Sequence, residues 1–270
     1  MSNTGVSGMI TLTTDFGTAD GYVGAMKGRM LSIAPRATLV DISHQVEPQQ
    51  VVQGAWCLRR AVQQFPPGVV HLAVVDPGVG SERAAVIVEL RDGWLVGPDN
   101  GLLALVAEDL GVESLWAIGE NPPERSRSGS FDGLTLFAPT AARLATGVAP
   151  GELGDPLQHL APLDQPQPEP ERGRVTGEIL FFDRFGNAIT NIPCAMIPGE
   201  AQVQVHLPSG GVLRLFSHYS AIPVESAQGH AGPSGAVWNS DGLLELASFS
   251  GSFRQRSGLT PGAQIVATWA

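Results

Sequence analysis

The tightest constraint in this chain is residues 69–90, VVHLAVVDPGVGSERAAVIVEL, where a polar loop separates two apolar runs that both read as buried strands. Asp76 falls where the first run stops, Pro77-Gly78 forces a turn, and Gly80 relieves backbone crowding. Arg83 returns a fixed positive charge just before the second run begins. A carboxylate and a guanidinium therefore face one concavity, which makes this loop the first candidate for chemistry. The plainer alternative is a loop whose Asp caps its own turn and whose Arg neutralises it.

At 270 residues, 43% hydrophobic and 16% charged, the chain is long enough for one large or two medium domains, and two are expected. A formal net charge of -10 and a pI near 5.0 argue against a nucleic-acid groove and suit a soluble enzyme whose ligand is cationic. No apolar run approaches the roughly 20 residues of a membrane helix. Residues 1–8, MSNTGVSG, lack the basic start and apolar middle of a signal peptide, so the expected location is cytoplasmic, away from membranes. Cys57 and Cys194 are far apart and have no Cys or His partners at metal-ligand spacing. They read as buried thiols, with no disulfide and no metal site.

Residues 9–14 are β-prone and end at Asp15-Phe16-Gly17, and Tyr22, Val23, Met26, Met30 and Ile33 follow at helical spacing after a possible Asp20 cap. The pattern repeats with a strand at 38–42 ending near Asp41 and His44. A helix after Pro48 then carries Val51, Ala55, Leu58, Val62 and Phe65. Beyond the central stretch come a strand at 94–96, the turn Pro98-Asp99-Asn100-Gly101, and a helix with Leu102, Leu103, Val106 and Leu110. Strands alternating with helices imply an α/β domain with a mostly parallel sheet. In such sheets ligands gather at strand carboxyl ends, where Asp15, Asp41, His44 and Asp76 fall. Asp41 and His44 read as structural, because a strand-end Asp commonly caps a turn.

Residues 160–174, LAPLDQPQPEPERGR, are Pro-rich, polar and without period, which suits a linker between an α/β domain at 1–159 and a second domain at 175–270. In the second domain short strand-like runs at 175–182, 201–207, 212–216, 235–238, 243–247 and 264–269 are separated by Gly, Pro, Ser and Asn, which suggests a small β-barrel or sandwich. A polar cluster interrupts it at Asp183-Arg184-Phe185-Gly186-Asn187, followed by Thr190-Asn191. A hairpin turn explains Gly186-Asn187; Asp183 beside two aromatics points to a ligand contact.

Several separated stretches together resemble the S-adenosylmethionine hydroxide adenosyltransferases, relatives of the fluorinase and chlorinase enzymes. They are Thr13-Thr14-Asp15-Phe16-Gly17, Met26-Lys27-Gly28, Asp41-Ile42-Ser43-His44, Val75-Asp76-Pro77-Gly78-Val79-Gly80 with Arg83, Pro98-Asp99-Asn100-Gly101-Leu102-Leu103, Phe137-Ala138-Pro139, and Asp183-Arg184-Phe185-Gly186-Asn187 with Thr190-Asn191-Ile192. The resemblance implies an α/β amino-terminal domain, a β-barrel carboxyl-terminal domain, and a homotrimer with intersubunit sites. It implies cleavage of S-adenosyl-L-methionine, a small-molecule substrate, at the ribose 5′ carbon by water or hydroxide, with no cofactor and no metal.

Carried over by motif, Asp15 would bind the ribose hydroxyls, Asp183 the methionine ammonium and Asn187 other polar ligand atoms, with Phe131 and Phe185 as apolar walls. Asp76 and Arg83 would orient and activate water. The halogenating relatives lack this Asp, which favours water over halide. Water-activating members carry His in a Phe-His-Gly-Arg-Asp stretch, whereas this chain reads Phe131-Asp132-Gly133-Leu134-Thr135, making Asp132 the third catalytic candidate. The alternative to a site role is that Asp132 faces solvent or caps the following segment. Two further departures are Gln49, where relatives place an aromatic, and Phe249, in a late motif that usually contains Asn. The competing functions are a binding protein without turnover and an enzyme using halide or another adenosyl compound.

Overall fold

The alternation of strands and helices in the first half is realised as one sheet with helices packed on it. In a computed structural model describing residues 5–119, 131–199, 202–223 and 233–269, the chain separates into two units, Met1–Asp164 and Gln165–Ala270. The first contains β1 (Met9–Thr14), α1 (Tyr22–Ile33), β2 (Thr38–Ser43), α2 (Val51–Val62), β3 (Val69–Val74), β4 (Ala85–Leu90), β5 (Gly93–Pro98), α3 (Ala104–Leu110), β6 (Val112–Ile118), α4 (Ala138–Ala145) and β7 (Gly154–Pro156).

The strands lie in the order β2-β1-β3-β5-β4-β6-β7. β2, β1, β3 and β5 run parallel; α1 and α2 connect the first three, whereas β3 reaches β4 through a loop without a helix, and β4, antiparallel to β5 and β6, returns the chain so that β5 lies parallel to β3. Every residue of β3 and β5 is buried, the pattern of strands covered on both faces. Ile10, Leu12, Leu72, Ile87 and Val96 share one core with Met26 and Met30 of α1 and with Phe137 and Ala141. α2 packs so closely that a Cβ at Gly54 would meet Leu102 Cδ1 at 2.9 Å and Val75 Cγ2 at 3.0 Å. Asp20 does not cap α1: the N-cap is Gly21 at φ 77°, and no side chain caps it. Its left-handed turn carries the chain into the helix without an acceptor from Asp20.

The second unit contains β8 (Glu169–Glu171), β9 (Arg174–Phe182), β10 (Ala188–Pro193), β11 (Val203–His206), β12 (Val212–Arg214), β13 (Ser234–Trp238), β14 (Leu243–Ser248), α5 (Phe253–Ser257) and β15 (Gln264–Trp269). Its antiparallel sheet runs β12-β11-β15-β9-β10-β14-β13, with β8 added on β9. A bridge between Leu215 and Ala236, with the Phe216 N–H donating to the Ala236 carbonyl at 2.8 Å, joins the two ends, so the sheet is nearly closed into a barrel. Val175, Ile179, Val205, Leu244, Phe253 and Ile265 fill it.

Residues 160–174 are less free than a linker composition implies. The Ala161 N–H donates to Asp99 Oδ1 at 2.7 Å in the first unit, and β8 pairs with β9 in the second. The expected strand start at Ala201, like Met1–Thr4 of the signal-peptide reading, lies outside the described residues. Cys57 is half-buried and Cys194 exposed, so neither is the buried thiol expected; Cys194 begins the 3₁₀ turn Cys194–Met196 that follows β10. Among the described residues no helix is long and apolar enough to cross a membrane.

Candidate active site

Two strand ends and one helix start bring the candidate residues of the first unit together. Asp76 follows β3, and its Oδ1 accepts from the Gly78 N–H at 3.2 Å and from Arg83 Nε at 2.9 Å. Arg83 Nη2 also donates to Asp76 Oδ2, making a bidentate pair. The self-capping turn that the loop composition allowed is therefore present, but it does not exhaust Arg83. The guanidinium continues to Asp132, where Nη2 donates to Oδ2 at 2.9 Å, and it stacks 5.4 Å from the Phe137 ring centroid.

Asp132 neither faces solvent nor caps. It starts the π-helical turn Gly133–Phe137 that leads into α4, makes no side-chain capping bond, and is 6% exposed. Its Oδ1 is buried without a hydrogen-bond partner among the described residues. The side chains of Asp76, Arg83 and Asp132 are 5, 12 and 7% exposed, so two carboxylates and one guanidinium, formally -1 together, sit where water screens them weakly.

Asp15 follows β1, and its Oδ2 accepts from the Gln49 N–H at 2.8 Å. Gln49 holds φ 67°, a left-handed conformation rare outside glycine, and the bond to Asp15 helps to keep it there. A cavity of about 350 Å³ is lined by Asp15, Gln49, Asp76 and Asp132 on its polar side and by Phe16, Tyr22 and Phe131 on its apolar side. The three rings meet edge to face with centroids 5.1–6.2 Å apart. A second hollow of about 350 Å³, with Ser81, Glu82 and Ala117 in its walls, lies against the same Arg83 and Asp132. Asp132 thus lines both hollows, whereas Arg83 lines only the second.

Phe16 and Tyr22 were missing from the sequence candidates. Helical spacing placed Tyr22 on a buried face, yet it is the first residue of α1 and 49% exposed. The available signal was the aromatic directly after a strand-end Asp. Asp41 and His44, read as structural, form one network: Lys27 Nζ donates to Asp41 Oδ2 at 2.6 Å, and His44 Nε2 lies 3.1 Å from Asp41 Oδ1. Burial alone would raise the Asp41 pKa, but Lys27 and His44 outweigh it and hold the carboxyl below its ordinary value.

Asp183, Phe185 and Asn187 belong to the second unit, in the loop between β9 and β10. Asp183 Oδ1 accepts from the N–H groups of Phe185 at 2.9 Å and Asn187 at 2.8 Å, and Oδ2 accepts from Asn187 Nδ2 at 3.2 Å. The carboxylate thus closes its own turn, while Phe185 projects outward, 76% exposed. Phe249 packs against Ile222, Val237 and Ala247.

Comparison with known proteins agrees with this anatomy. The SAM hydroxide adenosyltransferase N-terminal domain matches residues 10–154, and the C-terminal domain of the same family matches residues 177–266. An (R)-S-adenosyl-L-methionine hydrolase from Salinispora arenicola is 35% identical over 96% of this chain and 97% of its own. One from Methanocaldococcus jannaschii is 43% identical over 68% of this chain and 66% of its own. The crystal structure of an uncharacterized conserved protein from Thermotoga maritima matches with a TM-score of 0.82 at 32% identity, covering 96% of this chain and 99% of that one.

Proposed function

The chain belongs to the SAM hydroxide adenosyltransferase family, and we propose that it hydrolyses S-adenosyl-L-methionine to adenosine and L-methionine. The observation that carries this reading is a pair of carboxylates, Asp76 and Asp132, bridged by Arg83 and both lining a cavity that Asp15 also lines. Water attacks the ribose 5′ carbon, the carbon–sulfur bond breaks, and its electron pair neutralises the sulfonium as methionine leaves. The sulfonium is already a good leaving group, so the protein's work is to place the water in line and accept its proton.

Positive charge passes from sulfur to the attacking water as the new bond forms. A cluster of formal charge -1 favours that transfer, and it disfavours an anionic nucleophile in the same place. Asp132 Oδ1, buried and unpartnered, is the acceptor for the proton, which then passes to solvent. Asp76 fixes the guanidinium that holds Asp132. Asp15 takes the ribose hydroxyls and Phe131 supplies an apolar wall. Asp183 takes the methionine ammonium, with Asn187 on other polar atoms and Phe185 as a second wall. No cofactor or metal enters these steps.

We propose further that the chain acts in the cytoplasm as a homotrimer whose sites draw residues from two copies. Mixing Asp76→Ala and Asp183→Ala proteins under exchange conditions then restores part of the activity, and light scattering showing only a monomer overturns the assembly. For the reaction, the products are separated chromatographically after incubation with S-adenosyl-L-methionine, with and without halide. Equimolar adenosine and methionine are expected in both cases. Tight binding without adenosine release overturns hydrolysis, and a halogenated nucleoside among the products identifies halide in place of water as the nucleophile.

A further inference from the structure

Part of the cavity lining comes from two loops that follow neighbouring parallel strands: residues 14–17, which carry Asp15 and Phe16, and residues 44–50, which carry Pro48 and Gln49. Three hydrogen bonds tie them together. The Gln49 N–H donates to Asp15 Oδ2 at 2.8 Å, the Gly17 N–H donates to the His44 carbonyl at 2.8 Å, and Thr14 Oγ1 lies 2.8 Å from His44 Nδ1. Two of the three depend on His44, which is not among the residues lining the cavity.

The direction of the third bond follows from its surroundings. A carboxylate only accepts, and His44 Nε2 lies 3.1 Å from Asp41 Oδ1, so in the neutral ring the proton sits on Nε2. Nδ1 is left to accept from Thr14 Oγ1, which itself accepts from the Phe16 N–H at 3.3 Å. Nε2 makes no aligned hydrogen bond of its own, so Asp41 acts on it as a nearby negative charge. Asp41 is held in turn by Lys27 at 2.6 Å. Thr14 is fully buried and His44 is 5% exposed, so water cannot replace the bond if it is lost.

We infer that His44 is a positioning residue for substrate binding, its Nδ1 fixing Thr14 and with it the turn that presents Asp15 and Phe16 to the ligand. The identity of that ligand rests on the S-adenosyl-L-methionine reading above. Asp76, Arg83 and Asp132 lie on other segments with no bond to His44. Loss of the rivet therefore weakens binding and leaves the chemical step close to its original rate.

Four variants of the full chain test this. Thr14→Val removes the hydroxyl at constant shape and Thr14→Ser keeps it. His44→Gln reaches toward Asp41 but leaves Thr14 without an acceptor, whereas His44→Asn keeps an acceptor near the place of Nδ1. KM for S-adenosyl-L-methionine is expected to rise about tenfold in Thr14→Val and His44→Gln with kcat within about twofold, and to stay within about threefold in the other two. Amide hydrogen exchange at Gly17 and Gln49, which needs no substrate, is expected to speed up about tenfold in the first pair only. Unchanged exchange in Thr14→Val and His44→Gln overturns the positioning role, as does an equal loss of kcat and of thermal stability in all four. Faster exchange in Thr14→Val and His44→Gln, together with a wild-type protein that neither binds nor cleaves S-adenosyl-L-methionine, leaves the rivet standing and overturns the assignment of the substrate.

Discussion

Asp132 gives Arg83 only one of its carboxylate oxygens, at 2.9 Å, and keeps the other buried without a partner. An unsatisfied buried acceptor costs about 1–3 kcal/mol, and the proposed transfer of a proton from water gives that oxygen a role. Asp132→Asn keeps the shape and removes the charge. It is expected to lower kcat for adenosine release about 100-fold or more while KM changes little. Asp132→His is expected to move the pH dependence of kcat toward a titration near about 6.5. A rate unchanged in both variants across the pH range would place Asp132 outside the chemistry.

Arg83 answers two carboxylates that are themselves nearly dry. Arg83→Met strands both and is expected to destabilise the first unit by about 3–5 kcal/mol, visible as a fall in Tm of roughly 6–20 °C. Arg83→Lys keeps the charge but not the fork that spans Asp76 and Asp132, so it should fall between. Adding Asp132→Asn to Arg83→Met is expected to recover part of the loss, since one stranded charge disappears. Differential scanning calorimetry on the three proteins decides the matter.

Asp15 is proposed to contact hydroxyls that are present in ground and transition states alike, so its loss should fall on binding. Asp15→Ala is expected to weaken the S-adenosyl-L-methionine complex by about 1.5–3 kcal/mol in calorimetric titration, with a smaller effect on kcat. Asp15→Asn retains an oxygen that can accept from the Gln49 N–H, which separates loss of the loop tie from loss of the ligand contact. An unchanged Kd in Asp15→Ala would remove this residue from the site.

His71 lies in β3, buried, with Nδ1 2.9 Å from Thr11 Oγ1, and burial pushes its pKa down from 6.5 to about 4. The unfolded chain takes up this proton at higher pH than the folded one. The contribution to stability is therefore whole above about pH 6.5 and is lost as the pH falls toward about 4. Between pH 7.5 and 4.5 the loss from this residue is roughly 2–3 kcal/mol. Urea unfolding of wild type and His71→Gln at the two pH values should show the wild type losing more by that amount, and equal losses would exclude His71 as the source.

Legibility of the site from sequence followed contact distance along the chain. Asp76 and Arg83 share one loop, and their pairing could be read from its turn chemistry. Asp132 lies 49 residues beyond Arg83, and only the family resemblance pointed to it; the bond itself is a tertiary fact. The parallel trio β2-β1-β3 followed from strand–helix alternation, whereas the antiparallel entry of β4 depended on a loop without a helix. β10 escaped because Thr190 and Asn191 break its apolar period. Both are buried, Thr190 Oγ1 donating to the Leu244 carbonyl at 2.7 Å and Asn191 Oδ1 accepting from the Glu178 N–H at 2.8 Å. A polar residue that finds such partners inside a barrel looks, in one dimension, like a turn.

The π-helical turn Gly133–Phe137 connects the length of this segment to the direction of one carboxylate. A turn of this kind holds one residue more than its α-helical counterpart, as though a single residue had been inserted into a continuous helix. Were the same residues wound at ordinary α-helical pitch, the surplus residue would rotate whatever precedes the turn by about 100° around the axis relative to α4. Asp132 would then leave Arg83 with every side chain still in place. At this point of the chain the spacing of residues, as much as their identity, sets where the Asp132 carboxylate faces.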